Sequence, residues 1–147
     1  MRKSFGGKAL DVGARFVVPF SIMYAVYVLA AGESSPGGGF QAGAVLALSS
    51  IFAQLIKGKD AMFRIPYTMA VAFAGLGTFI YVLTGWLTLF FGGQFLEYGK
   101  LPFAWLDYEQ LHALGIFMIE AGVTICVMMT INTILDALLK REDFEDD

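Results

Sequence analysis

One side chain in this sequence stands out for chemistry: Glu120, an acid inside the long apolar run at about 111–135. Nine positions into a helix it would lie roughly 14 Å from the helix end, close to the middle of a bilayer. An ionised acid at that depth costs about 2.5–3.5 kcal/mol on insertion scales, so it should face protein or water, pair with a cation, or stay protonated. Such a carboxyl can serve an ion path, or it can be a protonated hydrogen-bonding group that holds neighbouring helices; the sequence leaves both open. Thr124 comes four residues later on the same helical face and is expected to support the carboxyl. His112 lies one turn into the same run, with Glu109 three positions before it. If the two meet, charge pairing raises the imidazole pKa and gives a proton relay. The alternative is an interfacial histidine, because no second histidine or cysteine stands nearby to complete a metal site. Asn132 and Asp136, four apart near the end of the run, are expected to face water or a partner. No Ser/His/Asp set, phosphate loop or metal-ligand cluster accompanies these residues, so no catalytic residue, metal or cofactor is expected and a stand-alone enzyme has no support.

The elements that position these groups follow from composition. Of 147 residues, 57% are hydrophobic and 16% charged, and the mean hydropathy is +0.66. A chain of that size and apolarity has a lipid bilayer as its natural solvent. The single Cys126 excludes a disulfide framework within the chain. A net charge of −3 derives mainly from the acidic tail at 142–147, expected to be solvated and frayed, and gives no case for a nucleic-acid partner.

Four transmembrane helices are predicted, at about 12–31, 40–56, 67–91 and 111–135, forming one all-α membrane domain over 1–147. The first run follows Arg2, Lys3 and Lys8 and ends in Ala30-Ala31-Gly32, which resembles a signal peptide. It is read as a span instead, because about 20 residues exceed the usual signal core of about 7–15. Arg15 can snorkel to the headgroups, or pair with an acid on a partner; Pro19, one turn later, frees a backbone carbonyl. Between helices one and two lies Ser34-Ser35-Pro36-Gly37-Gly38-Gly39-Phe40-Gln41-Ala42-Gly43. Its proline and glycines are expected to reverse the chain through backbone conformations closed to other residues. Gly39, Gly43 and Ala47 then form a small-residue edge on which another helix can pack closely, making Arg15, Pro19 and Gly43 candidates for assembly. Thr84 and Thr88, four apart in helix three, are expected to bond back to their own helix and take no part in transport. The connection from Gly92 to Gln110 carries Tyr98, Trp105 and Tyr108, aromatic residues suited to a membrane interface.

Orientation follows from the basic residues. On this scheme Arg2, Lys3, Lys8, Arg15, Lys57, Lys59, Arg64, Lys140 and Arg141 fall on one side and Lys100 alone on the other. Both termini are therefore expected to be cytoplasmic, with the glycine corner facing outward.

Arg15 and Pro19, then Pro36-Gly37-Gly38-Gly39-Phe40-Gln41-Ala42-Gly43, then Glu120-Ala121-Gly122-Val123, together resemble the MnhB/MrpB-like component of the Mrp-type multisubunit sodium/proton antiporters. The same module is similar to a component of membrane-bound hydrogenases and related respiratory complexes. The resemblance implies a multi-pass subunit in the cytoplasmic (inner) membrane of a prokaryote, in a hetero-oligomeric complex that exchanges sodium ions for protons. It makes Pro36, Gly37, Gly38, Gly39 and Phe40 the signature corner and places Glu120 at the family's late acidic position. Two classes of function remain: a transporter subunit whose Glu120 helps pass ions, and a structural subunit whose glycine edges dock neighbours.

Overall fold

The computed structural model describes residues 7–32, 37–57 and 65–145, excepting the side chains of Lys8, Lys57 and residues 139–145. Four helices carry the chain: α1 (Gly7–Ala30), α2 (Gly39–Lys57), α3 (Tyr67–Phe90) and α4 (Tyr108–Glu145). All four are long and apolar enough to cross a membrane, because each is a sustained run of apolar residues that satisfies its backbone internally. Of the predicted signature corner, Pro36 lies outside the described residues, as do Lys59 and Arg64.

Helix ends are set by local chemistry. α3 stops in a Schellman motif: Gly93 N–H donates to Thr88 O at 3.0 Å, Gly92 N–H donates to Leu89 O at 3.1 Å, and Gly92 takes a φ of +78°. Only glycine adopts that left-handed conformation without strain from a Cβ. α4 starts earlier than expected, at Tyr108 rather than Leu111, because Asp107-Tyr108-Glu109-Gln110 supplies half of a capping box. Gln110 Oε1 accepts from Asp107 N–H at 3.2 Å, satisfying a backbone donor that the helix start would otherwise leave open.

The far end of α4 corrects a second expectation. The acidic tail is not frayed from residue 142; the helix runs unbroken through Lys140 and Arg141 to Glu145. At 38 residues it is about 57 Å long, nearly twice a hydrocarbon core of about 30 Å. Counting residues along it therefore sets no membrane depth for Glu120.

The helices pack in the spatial order α1, α2, α4, α3: α4 lies between α2 and α3, α1 packs on α2 and only brushes α4, and no contact between α1 and α3 occurs among the described residues. The most deeply buried positions of this row are small or polar. Ala25, Ala42 and Ala47 are fully buried, as are Thr84 and Thr88 at 0% exposure. Phe16, Phe20, Met23, Tyr27, Phe79, Trp86 and Phe90 point outward. Lipid gives no hydrophobic drive to bury large side chains between helices, so close backbone contact over small residues holds the row together.

Candidate functional site

α4 organises the site because it shows different residues to its two neighbours. Toward α2 it presents Glu120, Thr124 and Asn132; toward α3 it presents Gly122 and Cys126. Thr78 and Cys126 approach to 3.5 Å across the α3 side.

The Glu120 carboxyl occupies the corner between α1 and α2. A Cβ built on Gly32 would collide with both of its oxygens, and one built on Gly38 would lie 2.8 Å from Oε1. A Cβ on Gly39 would strike the backbone carbonyl of Glu120 itself. The acid thus stands level with the end of α1 and the start of α2. Relative to α1 and α2 it lies at the helix ends and not halfway along them. Beside it opens a recess of about 40 Å³ lined by Leu29, Ala30, Ala113, Ile116, Phe117 and Glu120, large enough to admit water.

The same geometry corrects the reason for the glycines. Among the described residues only Gly7 and Gly92 are glycines with positive φ, so Gly37, Gly38 and Gly39 do not supply a special backbone conformation. They supply room. Gly38 and Gly39 admit Glu120, and Gly37 admits Val28 and the Gln41 side chain. Phe40, by contrast, faces outward at 68% exposure.

Thr124 does not support the carboxyl. Its hydroxyl hydrogen is shared between the backbone carbonyls of Gly39 at 3.0 Å and Glu120 at 2.8 Å, stitching the start of α2 to α4. Gly43 continues that seam: a Cβ there would lie 2.7 Å from Thr124 O and 2.9 Å from Val127 Cβ. The small-residue edge proposed for a partner helix is occupied by α4 of this chain.

Asn132 also departs from expectation. It is 7% exposed, and its Oδ1 accepts from Ser50 Oγ at 2.8 Å and from Gln54 Nε2 at 3.3 Å. Its own Nδ2 donates to Met128 O at 2.8 Å. A polar residue that neither lipid nor water reaches must find partners within the protein. Ser50 and Gln54, both facing the same side of α2, are the signal in the sequence that could have found it.

Elsewhere the residues are kept apart. His112 lines no part of the recess; its Nδ1 lies 3.0 Å from Tyr108 O, and its ring meets Tyr108 at 4.3 Å and Tyr98 edge-on at 6.0 Å. No ion pair joins it to Glu109 among the described residues. Arg15 pairs with Asp11 one turn earlier, at 3.1 Å, with its side chain 69% exposed. Pro19 sits exposed within a continuous α1. Thr84 donates to Ile80 O at 2.9 Å, as expected. Thr88 does more, sharing its hydrogen between Gly85 O and Gln94 O, both at 2.8 Å, while accepting from Leu96 N–H at 3.0 Å.

Tyr98 is the site residue that spacing alone does not reveal. It lies in a 3-10 turn (Tyr98–Lys100), with its ring against Gly115 where a Cβ would clash. Burial pushes its phenol pKa above the ordinary value, and charge on Tyr81 and Glu120 pushes it further. The loop is thereby in electrostatic reach of Glu120 from the side opposite α2.

Four spans with a small-residue interior define a multi-pass, all-helical membrane protein. The family profile described as a domain related to the MnhB subunit of Na+/H+ antiporter matches residues 9–133, and the chain belongs to this family. It is 26% identical over 129 residues to the B component of the Na(+)/H(+) antiporter of Bacillus subtilis, covering 83% of this chain and 90% of that one. It is 31% identical over 127 residues to the mnhB2 protein of Staphylococcus haemolyticus, covering 84% and 88% respectively. Among solved structures, a chain of the membrane-bound sulfane sulfur reductase, an archaeal respiratory membrane complex, superposes with a TM-score of 0.68 at 26% identity. That match covers 95% of this chain and 60% of the other. The resemblance carried by the glycine corner and the Glu120-Ala121-Gly122-Val123 stretch is thus borne out.

Proposed function

We infer that the chain is a membrane subunit of a multisubunit Na+/H+ antiporter, acting among partner subunits in a prokaryotic cytoplasmic membrane. The family match over residues 9–133 carries this reading. Nine of ten basic residues on one side of the spans support cytoplasmic termini. Within the protein, Glu120 is the residue of the ion path: among the described residues it is the one ionisable group lining the recess beside the α1–α2 corner. Thr124 has a positioning role, holding the backbone on which Glu120 stands to the first residue of α2. His112, turned toward Tyr98 and Tyr108, stands apart from that path.

Glu120→Gln tests the assignment, because the amide keeps the shape and hydrogen bonding of the acid but carries no charge. In the intact complex this variant should assemble and lose most of its cation/proton exchange in vesicles. Normal exchange would remove Glu120 from the ion path; failed assembly would make its role structural. The respiratory-complex neighbour favours a second reading, in which the same protein serves a redox-driven membrane complex. Co-purification of this chain with redox subunits in place of antiporter subunits would select it.

A further inference from the structure

We propose that the corner between α1 and α2 lies below the outer face of the bilayer and is covered there by an apolar segment of a partner subunit, seated on Ala113, Ile116 and Phe117 of α4, an inference that rests on the multisubunit reading above. Contacts between the helices set their relative heights. α2 and α4 run in the same direction, with Gly39 against Glu120, Gly43 against Thr124 and Ser50 bonded to Asn132. α3 runs the other way, with Gly77 against Gly122. It continues thirteen residues past that contact, to Phe90, whereas Glu120 stands only two residues above Gly122. At the helical rise, the top of α3 is therefore about 16 Å higher than the corner.

Length alone sets no depth for these helices, but their polar levels do. On the side of the termini, Gln54 bonds to Asn132, one turn from Asp136, and Arg15, seventeen residues before Gly32, reaches the same level. At the other end Glu109, Gln110 and His112 open α4. From His112 to Asp136 is about 36 Å, one hydrocarbon core with its polar borders. Between these levels the outer turns are apolar: residues 113–119 of α4 and 82–91 of the α3 end hold no charge, and Trp86, Leu89, Phe90 and Phe91 face outward. The bilayer surface thus follows the tops of α3 and α4, which puts the corner about 12 Å beneath the level of His112.

A turn at that depth cannot face acyl chains. The chain leaves the helical ladder between Ala30 and Gly39, and non-helical backbone within the hydrocarbon is tolerated only inside protein or beside a water-filled cavity. Either needs walls. α4 supplies one through Ala113, Ile116 and Phe117, which line the recess over Glu120, and Phe117 stays 49% exposed. The opposite side of α4 is closed, because Tyr98 packs on Gly115. The missing wall must be apolar where it meets Phe117 and donor-bearing or cationic where it meets the acid on the floor. A membrane segment of another subunit has this chemistry, whereas a lipid tail offers no donor and a lipid phosphate is repelled by the carboxylate.

Photocrosslinking in the intact complex tests the cover. Phe117→p-benzoylphenylalanine keeps an aromatic ring on the wall and adds a photoreactive group. Irradiation should shift this chain to the summed mass of itself and one partner subunit, with mass spectrometry placing the adduct in an apolar stretch of that subunit. An adduct to lipid, or no adduct, would overturn the proposal. Should that variant fail to assemble, the unmodified complex answers through a lipid-soluble diazirine, which should label other outward phenylalanines and spare Phe117. Phe117 labelled as strongly as they are would also overturn it. The identity of the crosslinked subunit keeps this result apart from the assignment of the host complex. An antiporter subunit supports both, and a redox subunit supports the cover while rejecting the antiporter. A complex that holds antiporter subunits but yields no protein adduct rejects the cover alone.

Discussion

Gly77 of α3 and Gly122 of α4 meet backbone to backbone. A Cβ added to Gly77 would come within 2.5 Å of Gly122 O, and one added to Gly122 within 2.8 Å of Gly77 O. Neither carbonyl can rotate away as a flexible side chain could, so either substitution drives the helices apart. Gly77→Ala and Gly122→Ala should each destabilise the fold by about 1–3 kcal/mol, the usual range for overpacking. The double variant should cost less than the sum, since the first methyl opens the gap that the second needs. Thermal unfolding of the purified complex measures both, and strict additivity would show that the glycines do not share one contact. Gly75→Ala is the control, because a Cβ there meets nothing within 4 Å and alanine is the better helix former.

At the α1–α2 corner two glycines separate the carboxyl from the backbone. Gly32→Ala places a methyl where the Glu120 carboxyl lies, and the carboxyl, the far end of a flexible side chain, can swing aside. Exchange should therefore fall while assembly holds. Gly39→Ala meets the backbone of Glu120, which has no such freedom, and should cost assembly. Co-purification yield beside vesicle transport separates the two effects, and equal loss of assembly in both variants would show that Gly32 serves the backbone rather than the carboxyl.

Asn132 offers a third test on the other half of the α2–α4 seam. Replacing it with leucine removes the acceptor for Ser50 and Gln54 and should cost about 0.6–1.7 kcal/mol, the range found for interhelical hydrogen bonds in membranes. Asn132→Asp keeps the acceptor, and should retain more of the interaction only if the added charge is neutralised. Unfolding in mild detergent checks the order Asn, Asp, Leu; leucine as stable as wild type would mean that packing alone holds this interface.

These contacts mark what the sequence can and cannot disclose. Apolar length is a property of a continuous segment, which is why four spans are readable to within a few residues at the ends of α2 and α3. The start of α4 is also readable in principle from Asp107 and Gln110, but the charged stretch around them masks it. The spatial order of the helices is a property of pairs: nothing local in Gly77 tells that its partner is Gly122, or that Gly43 faces Thr124 of the same chain. Glu120 is identifiable by its cost in lipid, whereas its height beside the corner depends on how far α4 slides past α2. Asn132 reads as a water-facing residue because its partners, Ser50 and Gln54, lie about 80 residues away, as two of its hydrogen bonds show.

The loop after α3 should come loose at alkaline pH. Thr88 holds it by accepting from Leu96 N–H and donating to Gln94 O, which fixes Leu96 at a φ of +66°, a conformation a leucine seldom adopts without such support. Tyr98 forms the second anchor, and its docked phenol has a pKa raised above the ordinary value, mainly by burial. A raised pKa means that the neutral phenol is favoured in the docked loop. The released phenol ionises near its ordinary value of about 10, so the contribution of Tyr98 is complete below that pH and fades as pH climbs through the higher docked value. Tyr98→Phe keeps the ring on Gly115 but cannot ionise, and should flatten the alkaline loss. Thr88→Val should loosen the loop at every pH, with Thr88→Ser restoring it. Cleavage of the complex by an alkali-tolerant protease, read at the bonds around residues 94–103, reports all three variants. An alkaline response of equal size in Tyr98→Phe and wild type would assign the titration to another group.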